Sequence, residues 1–444
     1  MKGRIAAVAA GALALALMAG GCAGGTGSGG AQGDGTGTIK VVLWPGPEGD
    51  AMATVVDQYN AGQGVTDKVQ VQMILLSRQD TFSKEATMMA AKSSDVDLYF
   101  VATYNVAQYS ASLEPLTSVD VNNYFPVAVQ GLQYQGKQYA LPLDVSSHFL
   151  MYRKDLIDAM LKDPAAVAKY REISAKVLGT AIDPKSPADG WTLDDFKAMS
   201  AFFTKTENPA SPTTYGTILQ SKNLLFNVML WDDVLYGMGG SWVDANGKAN
   251  MNSPEAQKAV ALYADIYKNK WASPDSSQAE FPETQAALKA GSVAFAMQWS
   301  AGFAELNDPA KSPDVAGKIA VAPQAGGKTH VHALAVALNK YSKNQAAALK
   351  FLNYLATPDA MDIYAKAGGI PAMPQVLTNN KDINPLFAMM ADSIAAGYAE
   401  PSFPKTFDAY ASLAEDLSGA WAGTTPVADA CATANKNLQA LIDG

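Results

Sequence analysis

Between residues 38 and 102 the chain alternates strand-like and helix-like segments, and this order constrains the fold more than any other feature. The stretches TIKVVLW, KVQVQMILL and DVDLYFV are β-rich or alternate in polarity, as strands do. Between them, GPEGDAMATVVDQYNAG and TFSKEATMMAAKSS have the apolar spacing of amphipathic helices. A β-α-β-α-β order predicts parallel strands with helices on both faces, and hence an α/β protein.

Later segments continue both kinds of element. WTLDDFKAMSAFFTK is predicted to be a helix with Thr192 as its N-cap and Asp195 three residues on. NSPEAQKAVALYADIYKN is predicted to be a helix capped by Ser253, and GSVAFAMQW a buried strand. Because neither an internal repeat nor a charged linker divides the sequence, two lobes with a chain that crosses between them are favoured over two separate domains.

The amino-terminal segment 1–21 has the three parts of a secretory signal. Lys2 and Arg4 form a basic start, an apolar run of about 14 residues follows, and small residues precede Cys22. Such a run is short for a membrane span, which needs roughly 20 residues. This segment is therefore predicted to be a signal peptide. The sequence AGGC resembles a bacterial lipobox, which implies that the sulfur of Cys22 is acylated.

Half of the residues in the segment 22–37 are glycine, so it cannot bury a core and is predicted to be a flexible tether. Its average reach of about 20 Å would keep the folded body close to a membrane surface. An ordinary signal peptide with an incidental cysteine is the alternative, because Ala19 stands where most lipoboxes have leucine. The other cysteine, Cys431, lies in a helical pattern and is predicted to be a small packing residue.

Composition and motifs argue against several classes of partner. With a net charge of −9 and no run rich in lysine or arginine, the chain is not expected to bind nucleic acid. The chain has three histidines, His148, His330 and His332, and neither an HExxH nor a CxxC motif, so neither a metal nor a cofactor is expected. GTGSGG lies in the tether without a preceding strand, and APQAGGKT has Ala322 where a P-loop needs glycine.

Several stretches, each weak alone, match one family in their number and order. SSDVDLYFVATYNVAQYSASLEPL, YQGKQYALPLDVSSHFLMYRKDL, WTLDDFKAMS and ALKAGSVAFAMQWSAGFAEL resemble successive blocks of the maltose-binding-like solute-binding proteins of ABC sugar importers. Arg153 departs from this pattern, because most members have asparagine after the tyrosine. The resemblance implies a two-lobed, type II periplasmic-binding-protein-like fold, in which helices flank mixed sheets and the ligand cleft lies at a hinge of several strands.

The resemblance also implies how the chain is divided. Lobe 1 is expected to comprise the segments 38–142 and 333–374, and lobe 2 is expected to comprise the segments 143–332 and 375–444. The chain is expected to cross between the lobes near Leu141–Asp144, Val331–Leu334 and Ile370–Pro374. A ligand that touches both lobes only in the closed state would shift the open–closed equilibrium toward closure.

Ligand-binding residues are expected at strand ends and crossings. A sugar site needs flat aromatic rings beside Asp, Asn, Gln or Ser side chains. The candidates are Gly46, Glu48, Tyr104, Asn105, Asp144, Ser146, Asn227, Trp231, Trp299, His332 and Tyr410. For each ring the alternative is core packing; Phe407 is second choice to Tyr410, and His148 is expected to be a packing residue.

The function implied by the resemblance is that of a lipid-anchored, monomeric carrier on the extracytoplasmic face of the cell membrane. It would capture a carbohydrate, which is expected to be an oligosaccharide. It would deliver this ligand to the permease subunits of an ABC importer without catalysis. Three alternatives stay open: a binding protein for a polyol or phosphodiester, a secreted glycan hydrolase with two carboxylates, and a structural surface lipoprotein. A phosphate ligand would require Arg or Lys, in which the candidate loops are poor.

Overall fold

The computed structural model describes residues 34–77, 80–384 and 386–444. The predicted signal peptide 1–21, Cys22 and the predicted tether up to residue 33 lie outside the described residues. The strands are β1 (Gly37–Leu43), β2 (Val69–Leu75), β3 (Leu98–Ala102), β4 (Gln133–Tyr134), β5 (Lys137–Gln138), β6 (Ala140–Ser146), β7 (His148–Arg153), β8 (Tyr215–Thr217), β9 (Val293–Trp299), β10 (Ile319–Ala322) and β11 (His332–Leu338).

Helices make up most of the remaining regular structure. They are α1 (Pro47–Ala61), α2 (Gln63–Asp67), α3 (Thr81–Ala90), α4 (Val106–Tyr109), α5 (Pro126–Gly131), α6 (Lys154–Lys162), α7 (Pro164–Leu178), α8 (Leu193–Phe202), α9 (Leu225–Gly237), α10 (Pro254–Lys268), α11 (Phe281–Lys289), α12 (Gly302–Leu306), α13 (Gln345–Leu355), α14 (Pro358–Lys366), α15 (Pro374–Asn379), α16 (Leu386–Ala395), α17 (Thr406–Trp421) and α18 (Val427–Ile442). Short 3-10 helices lie at Ser110–Ser112, Pro187–Asp189 and Pro274–Gln278.

The first sheet has the strand order β2-β1-β3-β11-β6. β1 pairs in parallel with β2 and β3, which confirms the predicted parallel arrangement of this region. β11 lies antiparallel between β3 and β6, so the sheet as a whole is mixed. The carboxyl ends of β1, β3 and β6 and the amino end of β11 consequently meet at one edge of this sheet.

The second sheet has the strand order β10-β7-β9-β8. β7 is antiparallel to both β10 and β9, and β8 is parallel to β9. His148 at the start of β7 pairs with Trp299 at the end of β9, and Ala322 at the end of β10 pairs with Leu150. The amino end of β7 and the carboxyl ends of β9 and β10 therefore lie together.

Three segments of the chain run between these two sheets and their helices. β6 ends at Ser146 and β7 begins at His148, so only Ser147 separates the sheets there. The second segment joins β10 to β11. The third contains Tyr398: its N–H donates to the Thr329 carbonyl at 3.1 Å, and its carbonyl accepts from Val331 N–H at 3.0 Å. The second and third segments thus lie side by side.

The chain stays beside the first sheet for some distance before the third segment begins. Val145 N–H donates to the Ile370 carbonyl at 3.0 Å, and Ala372 N–H donates to the Leu143 carbonyl at 3.2 Å. Residues 370–372 thus lie beside β6, and α15 and α16 continue against α14 and α5. The chain first contacts α9 at Tyr398, whose ring stacks on Tyr236, and it then packs against α9 and α10 through α17. The segment 370–395 therefore lies beside the first sheet and its helices.

The helices form where the local pattern predicted them. α1 buries Met52, Val55, Val56 and Tyr59 and ends at Gly62, as its spacing predicts. α8 has the predicted capping box: the Thr192 hydroxyl accepts from Asp195 N–H, and the Asp195 carboxylate accepts from Thr192 N–H. Cys431 is fully buried in α18, so the predicted packing role is confirmed. Within the described residues, none of the helices is long and apolar enough to cross a membrane.

Candidate functional site

Candidate residues from four strands converge at the edge of the first sheet defined above. Gly46 and Glu48 follow β1, and Tyr104 and Asn105 follow β3. Ser146 ends β6 and is paired with His332, the first residue of β11. Gly46 has φ of 129°, which favours glycine, and it allows the chain to turn directly from β1 into α1. The fold thus gathers six of the eleven predicted residues.

Five aromatic rings extend from this edge to the second sheet, and we call them the ring row: Tyr104, His332, His330, His148 and Trp299. Tyr104 and His332 are stacked with centroids 5.0 Å apart and an interplanar angle of 12°. The centroids of the next two ring pairs are 6.0 and 5.7 Å apart. Trp299 meets His148 edge-to-face at 4.2 Å. Because β6 runs almost directly into β7, rings from both sheets join in one row.

The ends of the ring row are more accessible than its middle. His148 and His330 are fully buried, whereas Trp299 is half-buried. Beyond Trp299 lies Phe226, which is 39% exposed and whose centroid is 6.4 Å from that of Trp299. At the other end, the half-buried rings of Phe82 and Phe407 contact Tyr104 at 5.7 and 5.4 Å. Aromatic surface is therefore accessible on Trp299 and Phe226 at one end, and on Phe82 and Phe407 at the other, where Tyr104 itself is only 5% exposed.

Polar groups accompany the rings. Asn105 is 2% exposed, and its Oδ1 accepts from Ala102 N–H at 2.9 Å. Asn105 Nδ2, Thr103 Oγ1 and Ser147 Oγ are buried and have no protein partner in the described part of the chain. Buried polar atoms are seldom left unsatisfied. These three are thus suited to hydrogen bonds with a hydroxyl-bearing ligand, and none of the three carries a charge.

Behind the ring row lies a buried carboxylate that the sequence analysis did not single out. Asp233, on α9, is fully buried. Its Oδ2 lies 3.0 Å from His148 Nδ1, and its Oδ1 accepts from His330 N–H at 2.7 Å and from the Tyr398 hydroxyl at 3.0 Å. The signal was present in the sequence NVMLWDDVLYG, where two adjacent carboxylates interrupt an apolar helix and so require buried partners.

A second carboxylate, Glu400, joins the same network. It contacts His330 Nε2 and the Tyr410 hydroxyl. Burial lowers the pKa of His148, and the neighbouring Asp233 only partly opposes this effect. His148 is therefore neutral at pH 7. His148 was predicted to be a packing residue. It is buried, but it also hydrogen-bonds to Asp233.

Two further predicted residues lie next to the site and make hydrogen bonds to other parts of the protein. The Asp144 carboxylate accepts from the Tyr364 hydroxyl at 2.9 Å and from Ile370 N–H at 2.8 Å, so it fixes residue 370 beside β6. Asn227 donates through Nδ2 to the carbonyls of Lys222 and Ala279, both at 3.0 Å. Its position next to Phe226 places it near the Trp299 end of the ring row.

Trp231 and Tyr410, which were also predicted as ligand contacts, are fully buried and lie outside the ring row. Trp231 is fully buried in α9, where its indole N–H points to the Ala259 carbonyl and its ring contacts Trp421. Tyr410 is fully buried against Trp242, with a centroid distance of 4.5 Å. Phe407, the second choice, is the ring that contacts Tyr104. One turn of α17 separates the two rings, so Phe407 faces the row and Tyr410 faces the core.

The site residues do not constitute a metal centre. Among the residues that the structure describes, no group of three or more His, Cys, Asp or Glu side chains is arranged to hold a metal ion. The ring row and its polar companions also include neither lysine nor arginine. The arrangement can stack against apolar faces and hydrogen-bond to neutral polar groups, as in a site for a neutral, hydroxyl-bearing solute.

Comparison with known proteins assigns the chain to a family. The family model of the bacterial extracellular solute-binding proteins matches residues 44–362, so the chain belongs to this family. A probable ABC transporter-binding protein of Deinococcus radiodurans is 26% identical over 329 residues, which are 71% of this chain and 71% of that protein. The chain is thus a solute-binding protein of an ABC transporter, of the kind that delivers its solute to a permease.

Solved structures agree on the fold. Maltose-bound MalE3 of T. maritima superposes with a TM-score of 0.70 at 21% identity, covering 91% of this chain and 99% of that one. A solute-binding protein of Agrobacterium vitis with bound D-mannitol superposes with a TM-score of 0.64 at 21% identity, covering 91% and 97%. These similarities show the two-lobed periplasmic-binding-protein fold, with the two sheets described above.

Proposed function

We propose that this protein captures a sugar or a sugar-like polyol between its two lobes and presents it to an ABC importer. The observation that carries the proposal is the ring row, which joins rings of both sheets at the crossings and is accompanied by uncharged polar groups. Flat rings bind the apolar C–H faces of sugars, and amide and hydroxyl groups bind their hydroxyls. The maltose- and mannitol-bound neighbours support this choice of ligand class.

The residues we assign to the site are those at the two ends of the row and the polar groups beside them. They are Gly46, Glu48, Tyr104, Asn105, Ser146, Asn227, Trp299 and His332, with Phe407 added and Trp231 and Tyr410 removed. Asp144 is assigned the supporting role of holding residue 370 beside β6. None of these residues is assigned to catalysis, and the protein is proposed to bind its ligand without turnover.

We further propose that the two sheets are the cores of two lobes that close on the ligand. The first lobe would comprise the segments 38–146 and 332–395, and the second lobe would comprise the segments 148–322 and 406–444. The three crossing segments near Ser147, Thr329 and Tyr398 would then act as the hinge. This division retains the predicted arrangement but moves the third crossing from 370–374 to the segment around Tyr398, whose hydrogen bonds to Thr329 and Val331 support it.

Lipid anchoring at Cys22 remains a proposal that rests on the lipobox resemblance. If Cys22 is acylated, the wild-type protein should fractionate with membranes and take up a labelled fatty acid in a bacterial host. The C22A variant should take up no label and should be released from the membrane. Labelling of C22A equal to that of the wild type would contradict the proposed anchor.

The experiment that tests the ligand class is a thermal-shift screen of the full chain carrying C22A. The panel contains mono- and oligosaccharides and polyols, with amino acids, polyamines and phosphodiesters as controls. A ligand present at 100 times its dissociation constant adds about 2.7 kcal/mol to the free energy of unfolding. We expect stabilisation by one class of sugar or polyol, with the ligand recovered unchanged after incubation.

Two outcomes would contradict the proposal. Stabilisation by the control solutes alone would retain the fold and overturn the assignment of a sugar or polyol. Appearance of cleavage products during incubation with an oligosaccharide would instead identify a glycan hydrolase.

A further inference from the structure

One buried side chain contacts all three crossing segments. Asp233 accepts from His330 N–H in the second crossing at 2.7 Å and from the Tyr398 hydroxyl in the third at 3.0 Å. Its other oxygen lies 3.0 Å from Nδ1 of His148, the residue at which the first crossing segment, Ser147 and His148, enters β7, and it accepts from Gln324 Nε2 at 2.9 Å. α9, which carries Asp233, packs against α17 and α10. A single residue of the second lobe thus joins that lobe to every crossing.

The donors around Asp233 indicate which nitrogen of His148 carries a proton. Two groups approach each carboxylate oxygen of Asp233, and the backbone N–H of His330 can only donate. Gln324 Nε2 can likewise only donate, and it contacts the same Asp233 oxygen that faces His148. That oxygen is therefore an acceptor toward His148, and the proton of this contact is assigned to His148 Nδ1.

The proton on Nδ1 determines the rest of the His148 ring. Burial lowers the pKa of His148, so the ring carries a single proton and Nε2 is unprotonated. Nε2 is buried and has no hydrogen-bond partner within the described residues. The ring meets Trp299 edge-to-face at 4.2 Å. The tautomer and the orientation of His148 thus define the surface against which Trp299 packs.

We propose that Asp233 is a positioning residue for ligand binding: it fixes His148 as the Nδ1–H tautomer and holds the three crossing segments together on α9. Asp233 touches none of the residues we assign to ligand contact, and it acts through His148 on Trp299. This inference rests on the proposed function, because its consequence is the correct placement of the ring row when the lobes close.

The chain offers a matched control in the preceding residue. Asp232 is also fully buried on α9, but its Oδ1 accepts from the Trp242 indole at 2.9 Å. Asp233→Asn leaves one oxygen for His330 N–H and Tyr398 but turns an NH2 group toward His148, which favours movement of the proton to Nε2. Asp232→Asn changes a carboxylate to an amide without touching a crossing segment.

The first readout is the tautomer, measured by ¹⁵N NMR of histidine-labelled full chain carrying C22A. The chain has only three histidines, so substitution of His330 and His332 one at a time assigns the spectrum. We expect a protonated Nδ1 and an unprotonated Nε2 on His148 in the wild-type background and in D232N, and the reverse or a mixture in D233N. Protonation of Nε2 in the wild-type background, or identical spectra for D233N and D232N, would overturn the proposal.

The second readout is binding of maltose and D-mannitol by titration calorimetry. For whichever probe binds, we expect D233N to bind about tenfold more weakly and D232N to bind unchanged. Unchanged binding by D233N would overturn the positioning role. If neither probe binds the wild-type background, the choice of ligand fails, but the tautomer measurement still decides the role of Asp233.

If D233N does not fold, Tyr398→Phe takes its place, because it removes one donor to Asp233 and leaves both sheets intact. Weaker probe binding than in the wild-type background is then expected. Unchanged binding by Y398F would overturn the proposal. So would an NMR spectrum of the wild-type background in which Nε2 of His148 carries the proton.

Discussion

At the scale of the residue, two tryptophans that look alike in the sequence have different roles. Trp231 lies in α9, which is covered by α10 and α17, and its ring is fully buried against Trp421. Trp299 ends β9 at the crossings and is half-buried beside His148. A sequence pattern shows that both are apolar positions. It does not show that α17, which lies far along the chain from α9, covers one of them.

The two tryptophans should therefore respond differently to substitution. W299A should weaken binding of the solute found in the thermal-shift screen by at least about tenfold, or ~1.4 kcal/mol, because it removes an aromatic contact surface. Its melting temperature should change little. W231A should lower the free energy of unfolding by about 3–5 kcal/mol and leave the affinity of the folded protein unchanged. Calorimetric titration and thermal melts of both variants check this, and equal loss of affinity in the two would contradict the assignment.

A buried acid, Glu85, should make stability depend on pH. Burial raises the pKa of Glu85 well above its usual value of 4.5, although its Oε1 accepts from Phe100 N–H at 2.7 Å. Between the unfolded and folded pKa values the folded protein binds more protons, so this group lowers the free energy of unfolding as the pH rises. E85Q keeps the acceptor and removes the titration.

The melting temperature of E85Q should thus exceed that of the wild type at pH 7.5, and the difference should shrink as the pH falls toward 4.5. E172Q, an exposed change on α7, serves as the control and should follow the wild type at every pH. Melting curves measured across this pH range decide the matter. A difference that stays constant or grows toward low pH would show that Glu85 does not titrate in this way.

At the scale of the element, local signals predicted helices well and sheet pairing only in part. The parallel pairing of β1, β2 and β3 follows from their alternation with helices over a short stretch of chain. β11 enters the same sheet from a distant part of the chain and separates β3 from β6. No local periodicity encodes such a long-range pairing. The bonds of residues 370–372 to β6 are also long-range and cannot be read from the local sequence. The sequence therefore placed the third crossing at 370–374, whereas we propose that it lies near Tyr398.

The capping box of α8 is a local signal whose energy can be tested. The Thr192 hydroxyl satisfies Asp195 N–H at 3.1 Å, one of the N-terminal donors of the helix. T192A should lower the free energy of unfolding by about 1 kcal/mol. T54A, at an exposed position within α1, should cause no loss, because alanine is the better helix former there. Denaturant melts of the two variants measure the difference, and equal stabilities would contradict a contribution from the cap.

At the scale of the whole molecule, sequence resemblance was sufficient for the fold and the family but not for the network that joins the lobes. The ring row could be expected in part, since Tyr104, Trp299 and His332 were all candidates at strand ends. The contributions of His148, His330, Asp233 and Glu400 depend on three crossing segments meeting α9. That meeting is a property of the tertiary fold, and buried polar residues acquire their partners only there.

If ligand closes the two lobes about these crossings, the protein should become more compact on binding, and small-angle X-ray scattering measures this change. The full chain carrying C22A would be measured without ligand and with a sugar or polyol from the thermal-shift screen at a concentration near its dissociation constant, and W299A would serve as the weak-binding control. We predict that the radius of gyration of the chain with an intact ring row falls when ligand is added, and that the radius of W299A at the same ligand concentration falls much less. Bound ligand that leaves the scattering unchanged would show that the lobes do not close.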